Sequence, residues 1–130
     1  MKYTTEVIID KPVETVIGLF DAPDHYEKWM RGLISFDVLE GDFGREGTKS
    51  KYVFNMGKRE LDMIETVLKR NLPYEYTVKY ETGKVFNVVR NSFESIAENK
   101  TKYITEHEFH FSGLMKVFAF LMPGSLKKAI

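Results

Sequence analysis

Residues 74–81 alternate without a break. Tyr74, Tyr76, Val78 and Tyr80 fall on one side, and Glu75, Thr77, Lys79 and Glu81 on the other. Successive side chains of an extended chain point to opposite faces, so this pattern specifies a strand with one packed face and one wet face. The segments around it continue the theme. After Thr82-Gly83-Lys84, residues 85–96 place Val85, Asn87, Val89, Asn91 and Phe93 on one face and Phe86, Val88, Arg90, Ser92, Glu94 and Ile96 on the other. Neither face is clean, as expected of a strand partly buried on both sides. Glu98-Asn99-Lys100 turns the chain again. Residues 101–111 then set Tyr103, Thr105, His107, Phe109 and Phe111 opposite Lys102, Ile104, Glu106, Glu108 and His110. Upstream, 49–56 pairs naturally with 61–69 across Gly57-Lys58-Arg59, a hairpin signal. Pro73 has no N–H to give to a ladder and belongs to a connection. The β-branched and aromatic richness of these segments agrees with strand.

The flanks look built to cover one face of this antiparallel run. Residues 2–9 form a strand, with Tyr3, Thr5, Val7 and Ile9 on one face. Asp10 offers an N-cap and Pro12 suits a first helical turn. Val13, Val16, Ile17 and Phe20 follow at helical spacing. Ala22-Pro23-Asp24 interrupts, and a second short helix over about 24–30 carries Tyr26, Trp29 and Met30. Another strand, 33–40, runs into a loop with three glycines, Gly41, Gly44 and Gly47, that permit a tight, irregular path. At the far end, Leu114, Val117, Phe118, Leu121 and Met122 form the wide apolar stripe of a helix over 114–122. Pro123-Gly124 breaks it, and Ser125 caps a restart. The helical pattern is still running at Ile130, so the natural chain is expected to continue or the end to be a fragment.

At 130 residues the chain is one domain, 1–130, with a single core. Nineteen Lys plus Arg balance nineteen Asp plus Glu. No long-range field then steers it to nucleic acid or acidic lipid. Cysteine is absent, which excludes disulfides, thiol nucleophiles and cysteine-ligated zinc. The N-terminus lacks a signal peptide's apolar run, and the longest such run, 117–122, is too short to span a bilayer. A cytoplasmic protein without a stable membrane anchor is the expectation. One strand, two short helices, six strands and a long helix predict an α+β fold. A curved seven-stranded antiparallel sheet would have the C-terminal helix over its concave face.

This order, with its local motifs, resembles the START-like superfamily (SRPBCC, the Bet v 1-like helix-grip fold), and within it polyketide cyclase/dehydrase-like proteins. The residues carrying the resemblance are 7–16, a strand leading into a proline-led helix; Tyr26-Glu27-Lys28-Trp29 with Leu33; the loop 41–47 running into a strand; and Phe109, Phe111, Ser112, Gly113 and Leu114 before the last helix. The pattern covers nearly the whole chain. The resemblance implies a hydrophobic or amphipathic ligand held between sheet and C-terminal helix, no cofactor, and roles ranging from carriage to cyclisation.

Candidate site residues follow from the strand faces. Tyr52, Tyr76, Tyr80 and Tyr103 would place hydroxyls in such a cavity; the competing reading is aromatic core with hydroxyls at the rim. His107, on the face of Tyr103 and Phe109, is a weak catalytic candidate for proton transfer. The alternative is a buried histidine satisfied by a tyrosine hydroxyl or the backbone. Arg90, with Phe86 and Ile96 on its face, would meet a ligand carboxylate or else pair with Glu94. Phe118 and Met122 would contribute from the last helix. Glu106, Glu108 and His110 share a face, but charges at every second residue describe a solvated strand better than a metal site. No nucleophile elbow, Walker loop or dinucleotide fingerprint is present. The sequence thus favours a ligand-binding carrier or sensor. A cofactor-independent cyclase or dehydratase using His107 with a tyrosine is the alternative. A protein-interaction module, for instance a homodimer, is the third reading.

Overall fold

The computed structural model describes residues 2–55, 57–83, 85–109 and 126–128. In chain order these form β1 (Lys2–Ile9), α1 (Val13–Phe20), a 3₁₀ turn (Pro23–His25), α2 (Tyr26–Trp29), β2 (Leu33–Glu40), β3 (Lys49–Asn55), β4 (Glu60–Asn71), β5 (Glu75–Thr82), β6 (Val85–Ala97) and β7 (Lys100–Phe109). All seven strands join one antiparallel sheet in the order β1-β7-β6-β5-β4-β3-β2. From β2 to β7 each strand pairs with its successor. β1 closes the far edge beside β7, so α1 and α2 connect the two edge strands. Register shifts interrupt the ladder in β2–β3, in β4 after Val67 and in β6 after Ser95. Such bulges bend strands and curve the sheet.

The faces expected from the alternation are the faces formed. Tyr76, Val78 and Tyr80 of β5 are buried, as are Asn87, Val89, Asn91 and Phe93 of β6, and Tyr103, Thr105 and His107 of β7. Tyr74 departs from the pattern. It precedes β5, is 70 % exposed, and its N–H donates to Asn71 O in the turn. That turn takes up the first residue of the alternating run. Pro73 sits in the connection as its chemistry requires, and its carbonyl accepts from Phe93 N.

α1 spans the expected residues but starts differently. Pro12, in an extended conformation, holds the N-cap position, and no side chain caps the helix. Asp10 lies too far upstream to do so. The helix is held instead by its apolar side. Val16 and Phe20, one turn apart, are both buried. The Phe20 ring meets Trp29, Tyr76, Phe93 and Tyr103 at centroid distances of 4.9–5.8 Å. Burying such a ring contributes about 2–3 kcal/mol. Phe20 thereby ties α1 to α2 and to three strands. The long helix expected over 114–122, with Phe118 and Met122, lies outside the described residues. Residues 126–128 are helical, and Leu126 is buried in the same core.

Candidate functional site

The buried face of the sheet is organised in rows that cross the strands. One row is apolar: Val67, Val78 and Val89 are successive cross-strand partners, and Val89 meets His107. The next row toward the β3–β4 hairpin is polar. Ser50 pairs with Glu65, Glu65 with Tyr80, and Tyr80 with Asn87, all four buried.

Glu65 is the centre of this row. Only 4 % of the residue is exposed. Tyr80 Oη donates to Glu65 Oε2 at 2.7 Å, and Tyr52 Oη donates to the same oxygen at 3.1 Å. Among the described residues Oε1 accepts no hydrogen bond, and no cation pairs with the carboxyl. Burial disfavours the charged form and pushes the Glu65 pKa up to about 7, against the two hydroxyls, which pull it down. Burial, and then the Glu65 charge, push the Tyr52, Tyr80 and Tyr26 phenols up, so all three stay neutral. The rings enclose this end of the sheet. Tyr26 stacks on Tyr52 at 6.1 Å, Tyr80 meets Tyr52 edge-on at 5.9 Å, and Phe36 meets it at 4.9 Å.

His107 belongs to the other end of the face. Its neighbour is an asparagine, not the tyrosine hydroxyl considered above: Asn87 Nδ2 lies 3.4 Å from His107 Nδ1. Burial drives the imidazole down to about 4, so it is neutral at neutral pH. Asn87 is wholly buried, and among the described residues its Oδ1 has no hydrogen-bond partner. Tyr103 and Asn91 form a closed set. Tyr103 Oη donates to Asn91 Oδ1 at 2.8 Å, and Asn91 Nδ2 donates to Tyr76 O at 3.1 Å. These groups satisfy one another and pin β5, β6 and β7 together.

Tyr76 serves a clamp. Arg70 lies over its ring at 5.6 Å and donates from both terminal nitrogens to the Asp21 carboxylate, at 2.8 and 2.5 Å. Asp21 follows α1, so this fork-to-fork pair fastens the helix end to β4. Gly44, at φ +82°, lets its loop lie against the guanidinium; a Cβ there would sit 3.1 Å from Arg70 Nη1.

Arg90 is not with the tyrosines. It lies on the outer face, where it donates to Glu106 at 2.7 Å and approaches Glu75 at 3.5 Å rather than pairing with Glu94. This network borders an outer-face depression of about 280 Å³. Glu106 is thereby committed to an ion pair. His110 is outside the described residues, and among the described residues no group of three potential ligands could hold a metal ion.

The structure therefore brings Tyr52 and Tyr80 together, places Tyr76, Tyr103 and His107 elsewhere on the same face, and separates Arg90 from them. Glu65, the residue that joins the two tyrosines, had escaped the sequence reading. Its signal was present: Leu61, Met63, Glu65 and Val67 recur at every second position, which puts a glutamate on an apolar face.

No family model matches the chain, and no curated protein matches it. Solved structures do. The di-domain ARO/CYC BexL from the BE-7585A biosynthetic pathway aligns over 99 % of this chain and 46 % of its own, with TM-score 0.79 and 10 % identity. Ginseng major latex-like protein 151 from Panax ginseng aligns over 99 % and 93 %, with TM-score 0.73 and 16 % identity. Ara h 8.0201 aligns over 98 % and 95 %, with TM-score 0.73 and 12 % identity.

Proposed function

We propose that this chain, whose fold is the START-like, Bet v 1-like helix grip, binds a small hydrophobic or amphipathic molecule between the concave sheet face and the C-terminal helix. In this reading it acts as a carrier or sensor. The observation that carries the reading is the polar row on an otherwise aromatic and aliphatic face. Buried polar atoms are nearly always partnered. Here Asn87 Oδ1, beside Tyr80 in the row, is buried without a partner among the described residues, and Glu65, on the other side of Tyr80, takes both hydroxyl hydrogen bonds on Oε2. Trp29 Nε1, beside Tyr26, lacks an acceptor. Apolar walls with a few convergent polar groups are the composition of a small-molecule site. Native mass spectrometry of protein isolated from its own host tests this. A bound small molecule that leaves on denaturation is the expected result. A ligand-free protein, as a clean dimer, would move the reading to an interaction module.

A second reading, a cofactor-independent acid–base enzyme, is favoured by one observation. A general acid or base works best with a pKa near the working pH. Glu65 stands at about 7 with the Tyr80 hydroxyl on it, whereas His107 stands at about 4. In that case the acid–base pair is Glu65 with Tyr80, not His107 with a tyrosine. Recovery of two bound species differing by the mass of water would support it.

A further inference from the structure

We infer that the Glu65 end of the polar row is a receptor for a cationic amine, whose ammonium pairs with Glu65 Oε1 among the rings of Tyr26, Tyr52 and Tyr80. This deepens the ligand-binding reading above and rests on it. Three observations lead to it. First, the hydrogen bonds the described residues give this carboxyl fall on one oxygen. Both hydroxyls donate to Oε2, and among the described residues nothing donates to Oε1.

Second, among the described residues cations are supplied elsewhere and none is supplied here. On the outer face Glu75 has Lys69 and Arg90, Glu106 has Arg90, and Asp62 has Lys51. Arg70, on the same strand as Glu65, is committed to Asp21 through both terminal nitrogens. Exposed carboxylates need a counter-charge least, because water screens them. The buried one needs it most.

Third, the surrounding rings suit a cation. Tyr52 and Tyr80 turn neutral hydroxyl oxygens toward the carboxyl and Tyr26 packs on Tyr52; phenol oxygens can accept from an ammonium and bring no positive charge for an anion. A ligand carboxylate or phosphate would meet the Glu65 charge directly. The occupant that answers all three is an amine on an apolar or aromatic body, with Asn87 Oδ1 one strand beyond Tyr80 open to a second donor.

The test is isothermal titration of the full chain with three probes that share one apolar body: phenethylamine, phenethyl alcohol and phenylacetate. The expected order is amine, then alcohol, then carboxylate, the amine binding about tenfold or more tighter than the alcohol. Glu65→Gln should remove the amine's advantage, so that amine and alcohol bind with similar affinity. Tyr80→Phe, which keeps the carboxyl, should retain the preference for the amine and guards against a Glu65→Gln chain that fails to fold. An alcohol that binds as tightly as the amine, or a preference that survives Glu65→Gln, overturns the amine assignment while leaving ligand binding intact. Failure of all three probes to bind overturns the binding reading and this inference with it.

Discussion

The two faces of one sheet treat carboxylates in opposite ways. On the outer face, Glu75, Arg90 and Glu106 sit on three neighbouring strands, Arg90 and Glu106 about half exposed and Glu75 less so, and each charge has an opposite charge within 3.5 Å. On the inner face, Glu65 has two neutral phenols and no cation among the described residues. The outer network lies in high dielectric, where such pairs contribute at most about 1 kcal/mol. The inner carboxyl lies where an uncompensated charge costs several times as much. The contrast teaches where to look for function. Among the described residues charge is matched where it is cheap and left unmatched where it is expensive, and the expensive place is the buried face of the sheet.

The sharpest way to break that contrast is Glu65→Gln with stability followed against pH. The folded protein holds the Glu65 proton up to about pH 7, while the unfolded chain releases it near 4.5. Between those values the folded state binds more protons, so stability falls as pH rises and the loss is complete above about 7. Tyr52, Tyr80 and Tyr26, the groups that face this carboxyl, stay neutral throughout and do not alter the sign. Glu65→Gln should therefore be near neutral around pH 5 and stabilise the protein by on the order of 3 kcal/mol around pH 8. Urea unfolding at both pH values reads it; equal effects at both would show that Glu65 does not titrate in this window.

A smaller effect separates the two hydroxyls. Tyr80→Phe removes the 2.7 Å donor and should destabilise the protein by about 1–3 kcal/mol above neutral pH, less in acid where the carboxyl is already protonated. Tyr52→Phe removes the 3.1 Å donor and should cost less in the same assay. The reverse order would place the charge nearer Tyr52. The smallest effect belongs to the outer face. Arg90→Met should change stability by less than about 1 kcal/mol, and added salt should erase the difference. A loss of several kcal/mol would mean that the outer network, too, is a buried one.

Much of this was legible in the sequence, for a physical reason. Period-two alternation is written by burial itself, so the strands and their inward faces could be read from residues such as Tyr76, Val78 and Tyr80. Tyr74 misled because alternation does not record where a turn begins. Asp10 misled because capping depends on backbone angles, which the residue type only suggests. Arg90 was placed with the ligand because its apolar neighbours, Phe86 and Ile96, imply burial. In the fold that face is the outer one, and Glu106 arrives opposite Arg90 only through the β6–β7 register. The Glu65 site was hidden for the same reason. Tyr52, Glu65 and Tyr80 come from three strands, and only the pairing register brings them into hydrogen-bonding distance.

The row that crosses Ser50, Glu65, Tyr80 and Asn87 has one more consequence. Its members are held in sequence by main-chain ladders, so their pitch, about 4.8 Å from strand to strand, is independent of which side chains stand there. Each position is a socket on a fixed rail: exchanging one residue rewrites the chemistry at that point without moving its neighbours. A scaffold of this kind can share only 10–16 % identity with the ginseng latex-like and BexL structures and still superpose on them, because its geometry is kept by atoms that every amino acid shares.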